Sequence, residues 1–210
     1  MTPKKDGFSI VINGSWNPNI FNPVWIHRNL VESGQQVEMA YPLNDNTLPI
    51  QVSLPEVRIY PSISRLEIKA RKENFDGMEA TLNVAKKITN LLVHTPVSAL
   101  GMNFGFEESE NIHLVTSKIQ LLDNALIDSS KYKLTETAIR RSFKIKDSEY
   151  MNFSIVYGMD YATIDINFHY ELNEMENIIK ALDKISIRES IEDVMSMIEE
   201  FYGLDICLEE

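Results

Sequence analysis

Three polar residues that alternate along one predicted strand are the best candidates for chemistry in this sequence. Asp165, Asn167 and His169 lie in a strand-forming run, and their spacing of two places the side chains on one face. A carboxylate and an imidazole on one face can act as acid and base, or bind a metal if His94 and Asn103 lie opposite. We favour a simpler interpretation, in which these residues form the polar face of a strand whose other face is core.

Each remaining candidate has a structural alternative. His94 precedes Thr95-Pro96 at a predicted helix end, where an imidazolium would interact favourably with the helix dipole, and we expect a structural role. Asn103 lies within Gly-Met-Asn-Phe-Gly and either contacts a ligand or, as we favour, satisfies a buried backbone group. Trp25 lies near other aromatic residues and several prolines. It either contributes to an aromatic binding patch or, as we favour, anchors its loop to the core.

Sequence signatures of the common enzyme classes are missing. The chain contains no Gly-rich phosphate-binding motif, no GxSxG motif, and no HxH or HExxH spacing. The single cysteine, Cys207, can form neither an intramolecular disulfide nor a cysteine-based zinc site, which is typical of the reducing cytoplasm. The sequence therefore predicts a cytoplasmic protein that is not an enzyme and has no cofactor or metal.

Negative charge is concentrated towards the end of the chain. The net charge is −11, and residues 171–210 contain 12 acidic but only 3 basic residues. A negative protein is unsuited to general binding of nucleic-acid backbones, because phosphates repel it. The carboxylates of the last predicted helix have three alternative interpretations. They are a solvated face of the helix, a docking surface for a basic protein, or a mimic of nucleic acid. The residues that would carry such docking are Glu192, Asp193, Glu199 and Glu200.

The longest uncharged run, residues 88–106, is long enough to raise the question of a membrane span. Polar residues, two glycines and Pro96 interrupt it, and such groups are costly in a bilayer. We therefore expect no membrane span, but a buried helix followed by a buried strand at Val97–Phe106.

Hydrophobic periodicity predicts strands and amphipathic helices along most of the chain. Strands are expected at residues 8–14, 57–60, 65–70 and 97–106, and a hairpin at 153–157 and 162–170. Helices are expected from Pro23 with Asn22 as its cap, from a capping box at Asp76, from a cap at Asn173, and in a final helix ending at Gly203. Residues 35–55 are typical of a loop with a turn at 44–46, and residues 107–146 are expected to be helical, around 119–126 and 135–142.

These elements predict an α+β fold, with a mainly antiparallel sheet and amphipathic helices packed on one side. Two loosely similar halves, residues 1–106 and 147–210, each contain strands followed by a helix, and the segment 107–146 joins them. Because no linker composition separates the halves, we expect a single domain over residues 1–210.

Three short blocks are found in order along the chain. Residues 17–25 read Asn-Pro-Asn-Ile-Phe-Asn-Pro-Val-Trp, residues 91–103 contain Leu-Leu-Val-His-Thr-Pro and Gly-Met-Asn, and residues 167–172 read Asn-Phe-His-Tyr-Glu-Leu. They resemble the NPxIFxPxW, LLxHTP…xGIN and NxHYEL blocks of a sporadically distributed family of uncharacterised bacterial proteins. The resemblance implies a shared fold. It brings no established activity, but sporadic distribution is associated with mobile elements and with defence against phage.

The function predicted from these observations is a non-enzymatic, cytoplasmic module that binds another protein, as an accessory or inhibitory subunit in a bacterial defence or mobile-element system. One alternative is a small-ligand or metal-dependent enzyme, and another is the acidic nucleic-acid mimic. The enzyme would use His94, Asp165 and His169 as catalytic candidates and Asn103, Asn167 and Trp25 as ligand-binding candidates. Edge pairing of the hairpin strands would also permit a homodimer.

Overall fold

A computed structural model of the protein describes residues 1–32, 34–41, 50–119 and 131–208, and positions 121, 123 and 127. Ten strands and five helices occur in this part of the chain. The strands are β1 Thr2–Pro3, β2 Ser9–Gly14, β3 Glu38–Ala40, β4 Gln51–Ser53, β5 Val57–Pro61, β6 Arg65–Ala70, β7 Val97–Glu108, β8 Thr137–Lys146, β9 Glu149–Tyr157 and β10 Ala162–Glu171. The helices are α1 Pro23–Asn29, α2 Phe75–Leu91, α3 Ile112–Ser117, α4 Met175–Lys184 and α5 Ile187–Tyr202.

All ten strands belong to one antiparallel sheet, which is built around β7. The strand order is β3-β4-β5-β6-β2-β7-β10-β9-β8, and β1 pairs with the far end of β7. On one side β7 pairs with β2, and on the other it pairs with the whole of β10. The predicted alternation of β7 is confirmed, because Leu100, Met102, Phe104 and Phe106 are all buried.

Helices α2, α4 and α5 pack together on one face of the sheet, which gives the predicted α+β fold. Their apolar sides are buried, as Leu82, Ile178 and Ile191 show for the three helices in turn. Each half of the chain contains an antiparallel hairpin followed by a helix: β5–β6 precedes α2, and β9–β10 precedes α4. None of the described helices is long and apolar enough to cross a membrane.

The helix ends follow capping chemistry, although not always at the predicted residue. Asn22 caps α1, and its Oδ1 accepts a hydrogen bond of 3.1 Å from the amide of Trp25, as expected. Gly203 ends α5 in the left-handed region with φ of 65°, also as expected. The predicted cap of α2 was wrong, because Asn74 and not Asp76 caps this helix. Asp76 lies in the first turn instead.

Three further predictions are corrected by strand pairing and by a helix boundary. Residues 137–146 form strand β8 and not a helix, because β9 supplies hydrogen bonds along its length. Residues 35–55 are not all loop, because they contain strands β3 and β4. Each of these strands is only three residues long, and its formation depends on pairing with the neighbouring strands. Helix α4 begins at Met175 after Glu174, and not after Asn173. The predicted turn at 44–46 and most of the predicted helix at 119–126 lie outside the described residues.

Candidate functional site

A row of amide and hydroxyl side chains crosses five neighbouring strands on the sheet face opposite the core residues. We call this face the polar face, and we call the five residues the Asn/Ser row. Direct antiparallel pairing places each member opposite the next one. The row consists of Ser9 on β2, Asn103 on β7, Asn167 on β10, Asn152 on β9 and Ser142 on β8. Since neighbouring strands lie about 4.8 Å apart, the row spans roughly 19 Å.

Side-chain hydrogen bonds connect the row without a gap. Asn103 Nδ2 donates to Ser9 Oγ at 3.0 Å, and Asn167 Nδ2 donates to Asn103 Oδ1 at 2.8 Å. Asn152 Nδ2 donates to Asn167 Oδ1 at 3.1 Å, and Ser142 Oγ donates to Asn152 Oδ1 at 2.6 Å. All four bonds run in one direction, and each amide keeps one N–H and one acceptor position that the row does not use. The row therefore holds oriented donors and acceptors on the polar face.

Two glycines of β7 make room for the side chains of β10. A Cβ at Gly101 would lie 3.0 Å from Asn167 Nδ2, and a Cβ at Gly105 would lie 2.9 Å from Asp165 Oδ1. Both distances are shorter than an ordinary contact, so these glycines allow Asn167 and Asp165 to lean over β7.

Charged groups of the N-terminal segment border the row. Lys4 Nζ lies 3.4 Å from Asp165 Oδ1, and the backbone amide of Lys4 donates to the carbonyl of Gly105 at 2.9 Å. Asp6 forms an ion pair with Arg58. This segment and β8, which carries Arg140, form opposite sides of an open depression of about 660 Å³ above the row.

The aromatic groups of the polar face lie one step further along the strands. Tyr150 and His169 face each other across β9 and β10, with ring centroids 6.5 Å apart. Lys144 is opposite Tyr150 on β8. The polar face thus combines fixed amides, a Tyr–His pair and cations, which can bind a polar partner by hydrogen bonds, stacking and charge.

Of the five residues predicted for a possible acid–base or metal site, four share the polar face and one does not. Asn103, Asp165, Asn167 and His169 share the polar face, with the orientation that their spacing predicted. His94 is exposed in the turn before β7. Since β7 rises about 3.3 Å per residue, its first residue already lies roughly 20 Å from Asn103. His94 is therefore outside the site, beyond the reach of a hydrogen bond.

The remaining candidates lie elsewhere. Trp25 is half-buried and packs edge-on against Phe21, with ring centroids 5.3 Å apart, and it does not line the depression. Glu192, Asp193, Glu199 and Glu200 are all exposed on α5. Among the described residues, no group of three or more His, Cys, Asp or Glu side chains is arranged to hold a metal ion.

Sequence reasoning missed three members of the row. Asn152 directly precedes the predicted strand 153–157, although its alternation with Ser154 is a signal that would have included it. Local patterns predict a helix at Ser142, and they place Ser9 in a strand without indicating a role for its hydroxyl. Their common role depends on the strand order, which no local pattern contains. Comparisons with known proteins find no family model that matches the chain and no curated protein that matches it.

Proposed function

We propose that the protein is a non-enzymatic protein-interaction module, and that it contacts its partner with the polar face around the Asn/Ser row. The observation that carries the proposal is the unbroken hydrogen-bonded row on an accessible sheet face. Such a surface holds its side chains in place before the partner arrives, which lowers the entropy cost of binding.

Folding stability does not account for the row. Asn and Gly are both unfavourable in strands, yet three Asn side chains and two glycines occupy the central strands here. Each of the four hydrogen bonds contributes only about 0.5–1.5 kcal/mol net, including the bond to the buried hydroxyl of Ser9, because folding replaces bonds to water by bonds within the protein. A function in binding explains why this composition is found at the centre of the sheet.

The chemistry of the polar face favours a protein partner over a small molecule. Small-molecule sites are concave and mainly apolar, with volumes of about 300–1,000 Å³. The depression has a suitable volume of about 660 Å³, but amide, hydroxyl and charged side chains line it. Arg140, which lines it, and Tyr150, further along the polar face, belong to the residue types that are enriched at protein interfaces.

The arrangement gives little support to the enzyme alternative. Asp165 and His169 are four residues apart on β10, a separation of roughly 13 Å along the strand, which is too far for proton transfer between them. Asp165 pairs with Lys4, and His169 packs against Tyr150. We therefore place the binding role ahead of catalysis.

A second candidate surface is the acidic side of α5, which would bind a basic partner. Arg188 lies 3.7 Å from Glu192, whereas Asp193, Glu199 and Glu200 have no ion-pair partner among the described residues. Unpaired carboxylates of this kind accelerate association with a basic protein, and the association rate constant falls as the salt concentration rises. Replacing Glu192, Asp193, Glu199 and Glu200 by Gln should then weaken the complex and remove its salt dependence. Unchanged affinity would exclude this surface. The nucleic-acid mimic and the defence or mobile-element role stay predictions.

The proposal is tested with the partner that the protein retains in its native host. The tagged full chain is isolated gently, and mass spectrometry identifies a protein that co-purifies in near-equimolar amount. Binding of that purified protein is then measured by calorimetry for the wild type and for a variant with Asn103→Thr, Asn152→Thr and Asn167→Thr. We expect the variant to lose binding by more than tenfold and to keep or raise its melting temperature, because Thr is the better strand former.

The matched control is Asn13→Thr, which makes the same change on the polar face of β2, four residues from Ser9. We expect this variant to bind like the wild type. Full binding by the triple variant would overturn the proposal, and so would a wild-type protein that emerges without any stoichiometric partner.

A further inference from the structure

Strand β8 ends the sheet and presents a long edge. Among the described residues it pairs only with β9, and the pairing is regular from Thr137 to Lys144, before a bulge at Ile145. An edge strand carries a row of unpaired backbone N–H and C=O groups, onto which another extended chain can add. Eight residues of regular edge provide room for such an addition.

The edge is basic in a protein that is otherwise acidic. Its residues include Arg140, Arg141, Lys144 and Lys146, and no carboxylate. Arg140 and Lys144 lie on the polar face, opposite Ser154 and Tyr150 of β9. Arg141 points to the other face, towards Tyr202 at the end of α5. Lys144 pairs with Asp147 at 3.3 Å and Lys146 pairs with Glu149 at 3.4 Å, both at the turn to β9. Arg140 has no ion-pair partner among the described residues, so an incoming carboxylate would meet Arg140 directly and would compete with Asp147 for Lys144.

The other face of β8 is apolar and incompletely covered. Ile139 and Phe143 alternate there with Arg141, opposite the core-facing residues of β9. Phe143 is 37% exposed and the neighbouring Ile145 is 49% exposed, so the helix layer does not cover this part of the sheet. A strand added at the edge would bury these side chains with its own apolar residues.

A second copy of the chain is a poor occupant for this edge. Pairing of two β8 strands would bring the cations of both strands to one seam, and like charges on paired strands are destabilising. The same cations attract a strand that carries carboxylates. We propose that the β8 edge accepts, as an additional strand, an extended segment of a partner protein in which acidic residues alternate with apolar residues. This inference does not depend on the Asn/Ser row.

The probe is a fluorescent, acetylated and amidated octapeptide that alternates Glu with Val, titrated with the full chain and followed by anisotropy. A Lys–Val octapeptide of the same pattern is the control. We expect the Glu peptide to bind at least about tenfold more tightly at low salt, and we expect its affinity to fall as salt rises. Equal binding of the two peptides would overturn the proposal.

Variants locate the binding on β8. The double variant Arg140→Gln, Lys144→Gln is expected to bind the Glu peptide with an affinity about threefold to tenfold lower. Each of the two substitutions removes one charge pair between β8 and the added strand. The control removes the same charge elsewhere, by Lys87→Gln with Lys184→Gln on the exposed sides of α2 and α4. The control is expected to bind like the wild type, and equal effects of the two variants would overturn the assignment to β8.

Backbone chemistry distinguishes strand addition from loose electrostatic attraction. A Glu–Val peptide methylated on alternate backbone nitrogens cannot complete the strand pairing, and it should lose binding. The bound unmodified peptide should slow hydrogen exchange of β8 amides. Full binding of the methylated peptide, or a wild-type dimer that protects the same amides, would overturn the proposal. The triple Asn→Thr variant should still bind the peptide, so that failure here and failure of the proposed function are separate results.

Discussion

A side chain at position 105 would occupy the space in which Asp165 meets the N-terminal segment. The Cβ of an alanine there would lie 2.9 Å from Asp165 Oδ1 and 3.2 Å from Gly7 Cα. The carboxylate can rotate, but the Gly7 backbone is held by the hydrogen bond from the amide of Lys4 to the carbonyl of Gly105 and by the turn that follows. At position 101, by contrast, the nearest atom is the Asn167 amide nitrogen, at 3.0 Å, and the carbonyl oxygen of Val11 lies at an ordinary contact distance of 3.9 Å.

We therefore predict that Gly105→Ala lowers the free energy of unfolding by about 1–3 kcal/mol, as expected for overpacking against a fixed backbone. Gly101→Ala should cost clearly less, because the Asn167 side chain can rotate away. Urea unfolding of the two variants measures the difference. Equal losses of unfolding free energy in the two variants would show that the backbone of the N-terminal segment moves aside as easily as the Asn167 side chain.

The cap of α2 shows how one residue determines where a helix begins. Asn74 Oδ1 accepts a hydrogen bond of 3.0 Å from the amide of Gly77. We predict that Asn74→Ala destabilises the protein by about 1 kcal/mol, the usual cost of a lost cap. Asp76→Asn removes a charge from the first turn without removing a cap, and it should cost less. A larger loss for Asp76→Asn in thermal unfolding would show that the first-turn charge, and not the Asn74 cap, stabilises the start of α2.

The carboxylates of α5 differ in how they interact with the dipole of the helix. Glu189 lies in the first turn, where the helix dipole favours a carboxylate, whereas Glu199 and Glu200 lie near the C-terminal end, where it does not. Replacing both C-terminal residues by Gln should raise the free energy of unfolding by about 0.3–1 kcal/mol per residue at low salt. Glu189→Gln should lower it. Unfolding at low and high salt measures both effects, and a common sign for the two variants would contradict the dipole argument.

Acid sensitivity of the whole protein depends partly on Glu108, where β7 leads into α3. Burial alone raises the pKa of Glu108, but hydrogen bonds of 2.9 Å and 2.8 Å from the amides of Asn111 and Glu110 help to bring it below its usual value. A lowered pKa means that the folded protein binds this proton less readily than the unfolded chain does. The resulting stability is present above the unfolded pKa, near 4.5, and is lost as pH falls through the lower folded pKa.

We predict that Glu108→Gln costs about 1–2 kcal/mol at neutral pH, because the backbone amides lose a charged acceptor. The variant should also lose less stability than the wild type as the solution becomes acid. Unfolding at a series of pH values measures both effects. Glu110→Gln, at an exposed position two residues away, is the matched control and should behave like the wild type. Parallel pH profiles for wild type and Glu108→Gln would contradict this assignment.

Charge is divided unevenly over the molecule as a whole. The C-terminal forty residues carry most of the net charge of −11, whereas β8 carries four cations and no carboxylate. Two surfaces of opposite sign can therefore meet two different kinds of partner. The affinity of a partner for either surface should fall as the salt concentration rises, so salt dependence alone does not identify the surface that binds. The Gln variants of α5 and of β8 distinguish the two surfaces.

Much of the architecture could be predicted from local patterns. Alternation of apolar residues identified β6, β7 and the β9–β10 hairpin, and periodicity and capping residues identified α1, α2 and α5. These predictions succeeded because each element buries one face of its own, and because Asn22 and Gly203 act within a single turn. The shared orientation of Asp165, Asn167 and His169 was also predictable, since it depends only on the pleat of one strand.

The tertiary structure alone decided which residues became neighbours. Strand β8 has a weak pattern of its own and exists because β9 pairs with it; Ser142 therefore could not be assigned to the polar face from sequence. The Asn/Ser row joins residues up to 158 positions apart, from Ser9 to Asn167, and it required the strand order and the register of four strand pairs. His94 and Asn103 are close in sequence but far apart in space, because an extended strand separates them. Local chemistry determined which groups are available, and long-range pairing determined which of them act together.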